Sequence, residues 1–585
     1  MNIFNEIKES IHSVIRNVFP NVTEASLARM NVEPPRDATH GDMATNAAMI
    51  LAKEVGLGPK AVAEVLVPHL QTIPHITKVD VAGPGFINLT LKPEAFKAIL
   101  PHALNAGPAT FGNGSIGIGS KVNIEYVSAN PTGPLTVGHA RGAIFGDAIA
   151  NLMSKAGFAV RREYYINDAG RQVEVLTDSV VLRIREAAGE DIGEIPAGCY
   201  PGEYLKDVAK AYIAKFGPDV SNRQQIRDFA VENLIGEIKT DLAELGVKHD
   251  IFISEAAILA SGAVEDAISQ LEKLGLIYTG ILEAPKGKTP DDWEAREQML
   301  FRSTDFGDDV DRPLKKSDGS TTYFANDIAH YFHVHNEGFD TLINVVGADH
   351  GGYVKRAKAA VKAISEGKCS LELPLVSIVH VTDNGQPVRM SKRAGTFITL
   401  RDMMDHVGAG VMRFIMLTRE AGQTLEFDYT KVTEQSKDNP YFYVQYAHAR
   451  SCSVMKHAAT MFEGVDLSDA ALAKIDLTPL VRTEEMALVR LIATWQRVVE
   501  QAAAAGEPHR IAYFAQELAA GFHGWWNKGR EDGTLRFLIE DDKALTFARL
   551  ALVRGVAVTL ASALNVIGVP ALQELRSDIE VEVAA

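Results

Sequence analysis

The sequence predicts a three-part chain with an α/β core: a doubly wound parallel sheet flanked by a small N-terminal α/β unit and a C-terminal all-α helix bundle. Three observations predict it. From Lys121 the order is strand, glycine-containing loop, long helix and strand, the βαβ order of such a sheet. After Asn439-Pro440 helical periodicity runs almost unbroken to the end. With 585 residues, the chain is also too long for one hydrophobic core, so several domains are expected.

In chain order, MNIFNEIKESIHSVIRNVF carries Ile3, Ile7, Ile11, Ile15 and Phe19 at helical spacing, an amphipathic helix and not a secretory signal. A Pro/Gly loop, a helix from Met43 to Val55 and another from Pro59 to Leu70 follow. KVDVAGPGFINLTL then alternates with period two on either side of Gly83-Pro84-Gly85, a strand pair. Ala109 to Gly119 is glycine-rich and aperiodic, a linker. KVNIEYVS is a strand, ANPTGPLTVGH a loop, ARGAIFGDAIANLMSKAGF a helix ending at Gly157, and Val160 to Tyr165 a second strand. Residues from about 185 to 285 are charged and mostly helical, inserted between the halves of the sheet. The sheet resumes from Tyr323, with DTLINVVGAD, a helix from Tyr353 to Ser365, and PLVSIVHVT. The domains expected are therefore 1–112, a Rossmann-like 113–400 with its insertion, a connecting segment 401–440 and a helical 441–585.

Composition narrows the function. Hydrophobic residues make up 46% of the chain, enough to fill its cores. A net charge of −16 argues against a broad basic surface for sequence-independent nucleic-acid binding, yet leaves room for local basic patches. The most apolar stretch, Leu550 to Leu572, is interrupted by Arg554, Asn565 and Pro570, so no membrane span is expected and the cytoplasm is the simplest location. Cys199, Cys369 and Cys452 are too few and too scattered for a disulfide framework or a zinc cluster.

Two loops carry the chemistry. Asn130-Pro131-Thr132-Gly133-Pro134-Leu135-Thr136-Val137-Gly138-His139 feeds a helix N-terminus, where unpaired N–H groups and a partial positive charge suit phosphates. Gly138 leaves backbone open to a purine ring, and His139 offers a donor to a phosphate oxygen that gains charge in the transition state. Alone, this is equally an ordinary strand-to-helix turn. Some 250 residues on, Arg389-Met390-Ser391-Lys392-Arg393 follows a strand and the hairpin-like TDNGQP. Lys392 on a mobile loop can neutralise a departing pyrophosphate while Ser391 adds a hydroxyl; taken alone, the segment is better read as a solvated basic loop.

Together, Pro-x-x-x-Gly-His opening the first βα unit and Met-Ser-Lys-Arg after the last resemble the two signatures of class I aminoacyl-tRNA synthetases. VSANPTGPLTVGHARGAIFGDAIANLM, REYYINDAGRQV, NVVGADHGGYVKRAKAA, VRMSKRAGTFITLRDMMDHVG and NPYFYVQYAHARSCSVM narrow the resemblance to the arginyl-tRNA synthetase family, bacterial type. It implies activation of L-arginine by ATP with Mg2+ and transfer to the 3′ end of tRNA(Arg), usually only once tRNA is bound. No tightly bound metal or organic cofactor and no obligate protein partner are implied, and a monomer is expected. Thr136 stands where the family usually has His, and Gly351 where many relatives have a second His. Lys392 is present while Gly133 occupies the upstream position where other members carry a compensating lysine.

A selective arginine site needs carboxylates in the guanidinium plane plus an aromatic face or hydroxyl. Tyr323 and Asp327, one helical turn apart, meet that need, and by resemblance they are the guanidinium partners, with Glu255 a third. By resemblance also, Glu125, Ser128, Asn130 and His139 hold the α-amino and carboxylate end. Thr136, His139, Ser391 and Lys392 are then the catalytic set, and Pro134, Gly138, His139, Asp349, Met390 and Lys392 line the ATP. In the bundle, Tyr441, Tyr443, Tyr446, Arg450 and the pair Trp525-Trp526 offer rings and a guanidinium plane on which anticodon bases stack, though bundle core is the competing reading. The N-terminal unit is implied to touch the outer corner of the tRNA. Gly112 to Gly117 matches a dinucleotide fingerprint but precedes its strand, so it lacks the required context. His330, His333 and His335 suggest a metal, but 330 and 335 diverge on a helix, favouring structural roles. A Walker A sequence is absent. Two other readings stay open: an adenylate-forming ligase with a non-tRNA acceptor, and a non-catalytic tRNA-binding relative.

Overall fold

Asn2 caps a helix over Ile3–Val18 whose Ile3, Phe4, Ile7, Ile11 and Ile15 are all buried, which anchors the N-terminal unit to its sheet. The computed structural model describes residues 2–35, 37–282, 296–388 and 398–575. Four antiparallel strands lie in the spatial order Val32–Glu33, Met43–Thr45, Phe86–Leu91, Ile76–Ala82. The helix expected from Met43 therefore starts later, at Ala47. Met43 to Thr45 pair with Leu89 to Ile87 and form an inner strand. The Pro59–Leu70 helix and the hairpin across Gly83 and Gly85 match expectation.

The glycine-rich stretch near 112 is tightly packed where a loose linker was expected. A Cβ on Gly112 would fall 2.1 Å from the Trp495 ring, and one on Gly117 2.2 Å from Phe158. Trp495 Nε1 also donates to the Phe111 carbonyl at 3.2 Å, so Gly112 lets the C-terminal bundle seat against this stretch while Gly117 makes room for Phe158.

The central sheet has five parallel strands: β1 (Lys121–Glu125), β2 (Ala159–Ile166), β3 (Ile251–Ser254), β4 (Thr341–Asn344) and β5 (Ser370–Glu372). Their spatial order is β5-β4-β1-β2-β3. In chain order this is the doubly wound pattern, with its switch point between β1 and β4, where Glu125 lies opposite Asn344. The helix α1 (Val137–Lys155) makes the first crossover and is buried along most of its length.

Two expectations about this region need correction. The helical insertion starts earlier and ends earlier, with helices at Arg171–Ala187, Tyr204–Phe216 and Arg223–Glu244 around their own core of Leu176, Val180, Leu205, Tyr212 and Ile226. Residues 251–254, assigned to it, are instead the edge strand of the main sheet. PLVSIVHVT also leaves that sheet. Val379–Asp383 pairs in parallel with Leu425–Asp428, and in antiparallel with Gln386–Pro387 across Asn384-Gly385. Both turn residues have positive φ (48° and 75°), the geometry of a tight two-residue hairpin. Tyr323 opens a helix, α2 (Tyr323–Asn336), which keeps it one helical turn from Asp327 as expected.

Among the described residues, helices and a three-stranded antiparallel sheet, in the order Arg312–Lys315, Gln298–Phe301, Ile277–Gly280, make up most of the remainder. The last helix, α3 (Lys543–Val566), is long and apolar enough to cross a membrane by composition, but 78% of its most apolar window is buried inside the protein. Arg413, 1% exposed, locks the parts together. It donates to Ile567 O at the end of α3, to Leu245 O at the end of the insertion and to Asp147 Oδ2 in α1.

Candidate active site

The carboxyl end of β1 turns sharply out of the sheet. Val127 (φ 69°) and Ser128 (φ 38°) both adopt left-handed backbone, which costs a non-glycine residue about 1–3 kcal/mol. Neighbouring groups hold the bend: Ser128 Oγ accepts from Tyr165 N at 3.1 Å, Ser128 O from Asn167 Nδ2 at 3.2 Å, and Ala129 O from Tyr164 OH at 2.9 Å. The bend opens the crevice at the switch point and leads the loop across to α1.

That loop places the first signature. Tyr204 OH donates to Thr132 O at 2.5 Å, and a Cβ on Gly133 would lie 2.9 Å from the same hydroxyl, so the insertion fixes the loop. Thr136 precedes α1 and its N–H donates to His139 Nδ1 at 3.0 Å. With Nδ1 accepting, the neutral imidazole carries its proton on Nε2, which makes Nε2 the donor. Thr136 Oγ1 also sits 3.2 Å from that Nδ1, so Thr136 orients His139. The space over Gly138 is open, since a Cβ there would meet nothing nearer than Thr136 Oγ1 at 3.5 Å.

Met390, Ser391 and Lys392 lie outside the described residues. The segment that follows them is docked directly on the first signature. Val137 N donates to Ile398 O at 3.3 Å, Leu400 N donates to Leu135 O at 2.8 Å, and Thr136 bridges Thr399. Lys392 is six residues from that anchor.

Helix α2 brings the acids together. Thr322 caps it by accepting from Ala325 N at 3.2 Å. Asn326 Nδ2 donates to Glu255 Oε1 at 3.4 Å, Tyr353 OH donates to Asp327 Oδ2, and His330 reaches both Glu163 and Glu125. Glu255, the first residue of a short helix after β3, is buried, and burial pushes its carboxyl above the usual range, with Asp168 adding to the effect. Burial likewise raises Asp327 to about 6, although the Tyr353 hydroxyl opposes it, and raises Glu125 to about 7 against the pull of His330. The Tyr165 hydroxyl lies among the same carboxylates, buried and without a hydrogen-bond partner among the described residues. An acid-lined cleft with raised carboxyls and an unsatisfied hydroxyl suits a cationic, hydrogen-bonding ligand. Tyr323, 75% exposed, stands at the mouth, its hydroxyl 3.9 Å from where a Cβ on Gly170 would be.

Other predicted residues are more peripheral. Asn130 Nδ2 donates to Gln172 Oε1 at 2.8 Å, and Pro134 is half-buried in the loop. Asp349 is exposed, 3.8 Å from His350, in the turn after β4. Gly351 has room for a side chain, since a Cβ would meet Leu375 at 3.6 Å. In the bundle, Tyr441 is buried and packs edge-on to Phe414 and Phe442, and Trp525 is buried against Phe537. The tRNA-stacking role expected of Tyr441 is thus corrected to core packing. Tyr443 tilts over His523 at 4.6 Å, and Arg450 lies 4.6 Å over the Trp526 ring, a half-exposed group of stacking partners. Tyr446 is half-buried with its hydroxyl enclosed.

Sequence reasoning missed Glu163, Tyr165, Asn326 and Tyr353, and set His330 aside as structural. Positions 330 and 335 do diverge: His335 faces the Phe339 carbonyl and His333 pairs with Glu337, while His330 turns toward Glu163 and Glu125. The available signal was its position three residues after Asp327, on the same helical face.

Three family models match the chain: the arginyl tRNA synthetase N-terminal domain over 5–91, the class I (R) tRNA synthetase catalytic domain over 114–423, and the DALR anticodon binding domain over 444–575. The arginine–tRNA ligase of Parvibaculum lavamentivorans is 52% identical over 588 residues, 98% of this chain and 100% of that one. That of Rhodospirillum rubrum is 52% identical over 596 residues, with the same coverage. The solved Thermus thermophilus arginyl-tRNA synthetase shares the fold at a TM-score of 0.71 and 21% identity, covering 98% of this chain and 100% of that chain.

Proposed function

The chain belongs to the arginyl-tRNA synthetases and is an arginine–tRNA ligase, and from that premise we propose how its residues divide the work. The guanidinium of arginine lies against Asp327 and Glu255, with Tyr323 closing the mouth and the Tyr165 hydroxyl accepting one of its N–H groups. Glu125 takes the α-ammonium group, with Ser128 and Asn130 beside it. The convergence of three carboxylates raised by burial, Glu125, Glu255 and Asp327, carries this reading, because an amino acid with two cationic groups, a guanidinium and an α-ammonium, supplies the positive charge they lack.

ATP arrives with Mg2+ as its counter-ion and lies along Pro134, Gly138 and the α1 N-terminus, with Asp349 and Met390 toward its nucleoside. The arginine carboxylate attacks the α-phosphorus and pyrophosphate leaves. His139 Nε2 donates to the phosphate as charge builds, Thr136 orients His139, and Ser391 and Lys392 close over the departing group. A ribose hydroxyl of the tRNA 3′ end then attacks the arginyl carbonyl and AMP departs. The half-exposed Tyr443, Arg450 and Trp526 receive the anticodon loop. The anticodon-domain match over 444–575 speaks against a ligase with a non-tRNA acceptor. A cytoplasmic monomer fits a chain whose most apolar helix is already buried. The test is exchange of labelled pyrophosphate into ATP, run for all amino acids with and without tRNA. Arginine-specific exchange that needs tRNA is expected, and exchange with lysine or a neutral amino acid overturns the assignment of the acids.

A further inference from the structure

Behind Glu125 the fold buries a chain of charge that the steps above do not use. His330 Nε2 stands 2.5 Å from Glu163 Oε1, and its Nδ1 3.9 Å from Glu125 Oε2. The second oxygen of Glu163 accepts from Arg161 Nη2 at 3.1 Å, and Arg161 is held in turn by Asn123 at 2.6 Å and Glu337 at 2.5 Å. The Tyr165 ring covers His330 at 4.8 Å between centroids. The Glu163 side chain is 0% exposed and that of His330 6%. Donor atoms of Glu125, Glu163 and His330 lie within 4.8 Å of one another, a spacing open to a metal ion. Yet His330 Nε2 and Glu163 Oε1 are committed to each other, and Glu163 Oε2 to Arg161. Three free lone pairs do not face a common centre.

We propose that His330, clamped by Glu163, is a positioning residue for arginine: its imidazolium, with Nδ1 3.9 Å from Glu125 Oε2, favours the ionised form of the carboxylate that receives the α-ammonium group. The proposal deepens the reading of Glu125 given above and rests on it. The charged and titratable groups facing His330 are Glu163 and Tyr165 from β2, Glu125 from β1, and Asp327 and Tyr331 from its own helix. Burial lowers His330, but Glu163, Glu125 and Asp327 outweigh it and raise it to about 9, so it is a cation at neutral pH. Glu125 faces His330, Glu163, Ser128 and Asp327. Burial and the two acids raise it to about 7, and His330 is the main group opposing them. Without that cation Glu125 moves higher and is mostly neutral at pH 7, losing its attraction for an ammonium group. A more alkaline solution restores the carboxylate, which a purely structural defect would not allow.

The experiment compares arginine with 5-guanidinopentanoate, which lacks only the α-amino group. Arginine KM and kcat, and the inhibition constant of the analogue, are measured by pyrophosphate exchange with tRNA present at about pH 7, where Glu125 titrates, and at about pH 8.5, well above it. His330→Gln is expected to raise arginine KM tenfold or more at pH 7 with a smaller effect on kcat. The analogue should bind as in the wild type, and most of the arginine defect should disappear at the higher pH. Glu163→Gln, which unclamps His330, should shift the same preference less, and it serves as the test if His330→Gln does not fold. Equal losses for arginine and analogue, or unchanged arginine KM in both variants, overturn the proposal. If Glu125→Gln keeps the preference for arginine over the analogue, the reading of Glu125 itself falls and takes this proposal with it. If Glu125→Gln abolishes that preference while both other variants retain it, the role of His330 alone is overturned.

Discussion

Replacing Asp327 by asparagine removes one charge while keeping the shape and an acceptor for Tyr353 OH. The carboxylate is half-buried, so its pairing with a guanidinium is less screened than a surface ion pair yet short of full desolvation. Truncating one side of a buried charge pair costs about 2–5 kcal/mol, and partial exposure places this site near the lower half, about 3 kcal/mol or on the order of 10²-fold. That loss is expected in arginine KM, measured by tRNA-dependent pyrophosphate exchange, with ATP KM little changed. Citrulline, the neutral isostere of arginine, supplies a second reading, because the variant should lose most of its discrimination against it. With Asp327 raised to about 6, wild-type arginine KM should also climb as pH falls through that value, and the variant should lack this component. An arginine KM within threefold of wild type, with citrulline still rejected, would show that the guanidinium binds elsewhere.

Lys392→Ala is expected to lower arginine activation strongly with a modest effect on arginine affinity, and wild-type exchange rates would refute its role. Stability of the ligand-free protein should fall between about pH 5 and 7.5, read by thermal unfolding with and without arginine. Glu125 and Asp327 bind protons more tightly folded than unfolded, so raising pH through their folded values removes stability, and arginine should restore it above pH 7. A melting temperature flat across that range, or no effect of arginine, contradicts the sign of both shifts. Gly568→Ala should destabilise by about 2–4 kcal/mol, because its φ is 68° and its Cβ would lie 2.0 Å from the Arg413 guanidinium. An unchanged melting temperature would show that Arg413 is not the fixed tie it looks to be.

The sequence made the sheet legible through its strand-loop-helix order, and the site through residues that sit near one another in sequence or carry a signature. Thr136 and His139 share one turn, and Tyr323 and Asp327 one helical face. What escaped was set by long-range contact. Ile251–Ser254 is only four residues long and flanked by charged helices, so nothing local separates it from the insertion. Met43–Thr45 reads as helix because Ala47 onward is one, and its strand character comes from pairing with Leu89. Glu163 occupies the interior of a strand, where an acid makes sense only once His330, 167 residues on, is beside it. Tyr441 reads as a stacking surface until the 409–416 helix is packed over it.

The errors and the site share a cause. Local rules describe a chain at its lowest local cost, and this crevice departs from it: Val127 and Ser128 in left-handed backbone, acids gathered where water is scarce, a hydroxyl left without a partner. Such a cluster is unfavourable in the empty protein and holds its shape because rigid elements surround it. Arg413 joins α1, the insertion and the bundle by three hydrogen bonds, and Gly112 seats Trp495 of the bundle against Phe111. A cation that pairs with the acids recovers the cost of gathering them, so affinity for arginine and instability of the empty site are two measures of one arrangement. A substitution such as Glu255→Gln should therefore weaken arginine binding while raising the melting temperature of the ligand-free protein. Loss of both together would mean that the acids serve the fold and not the ligand.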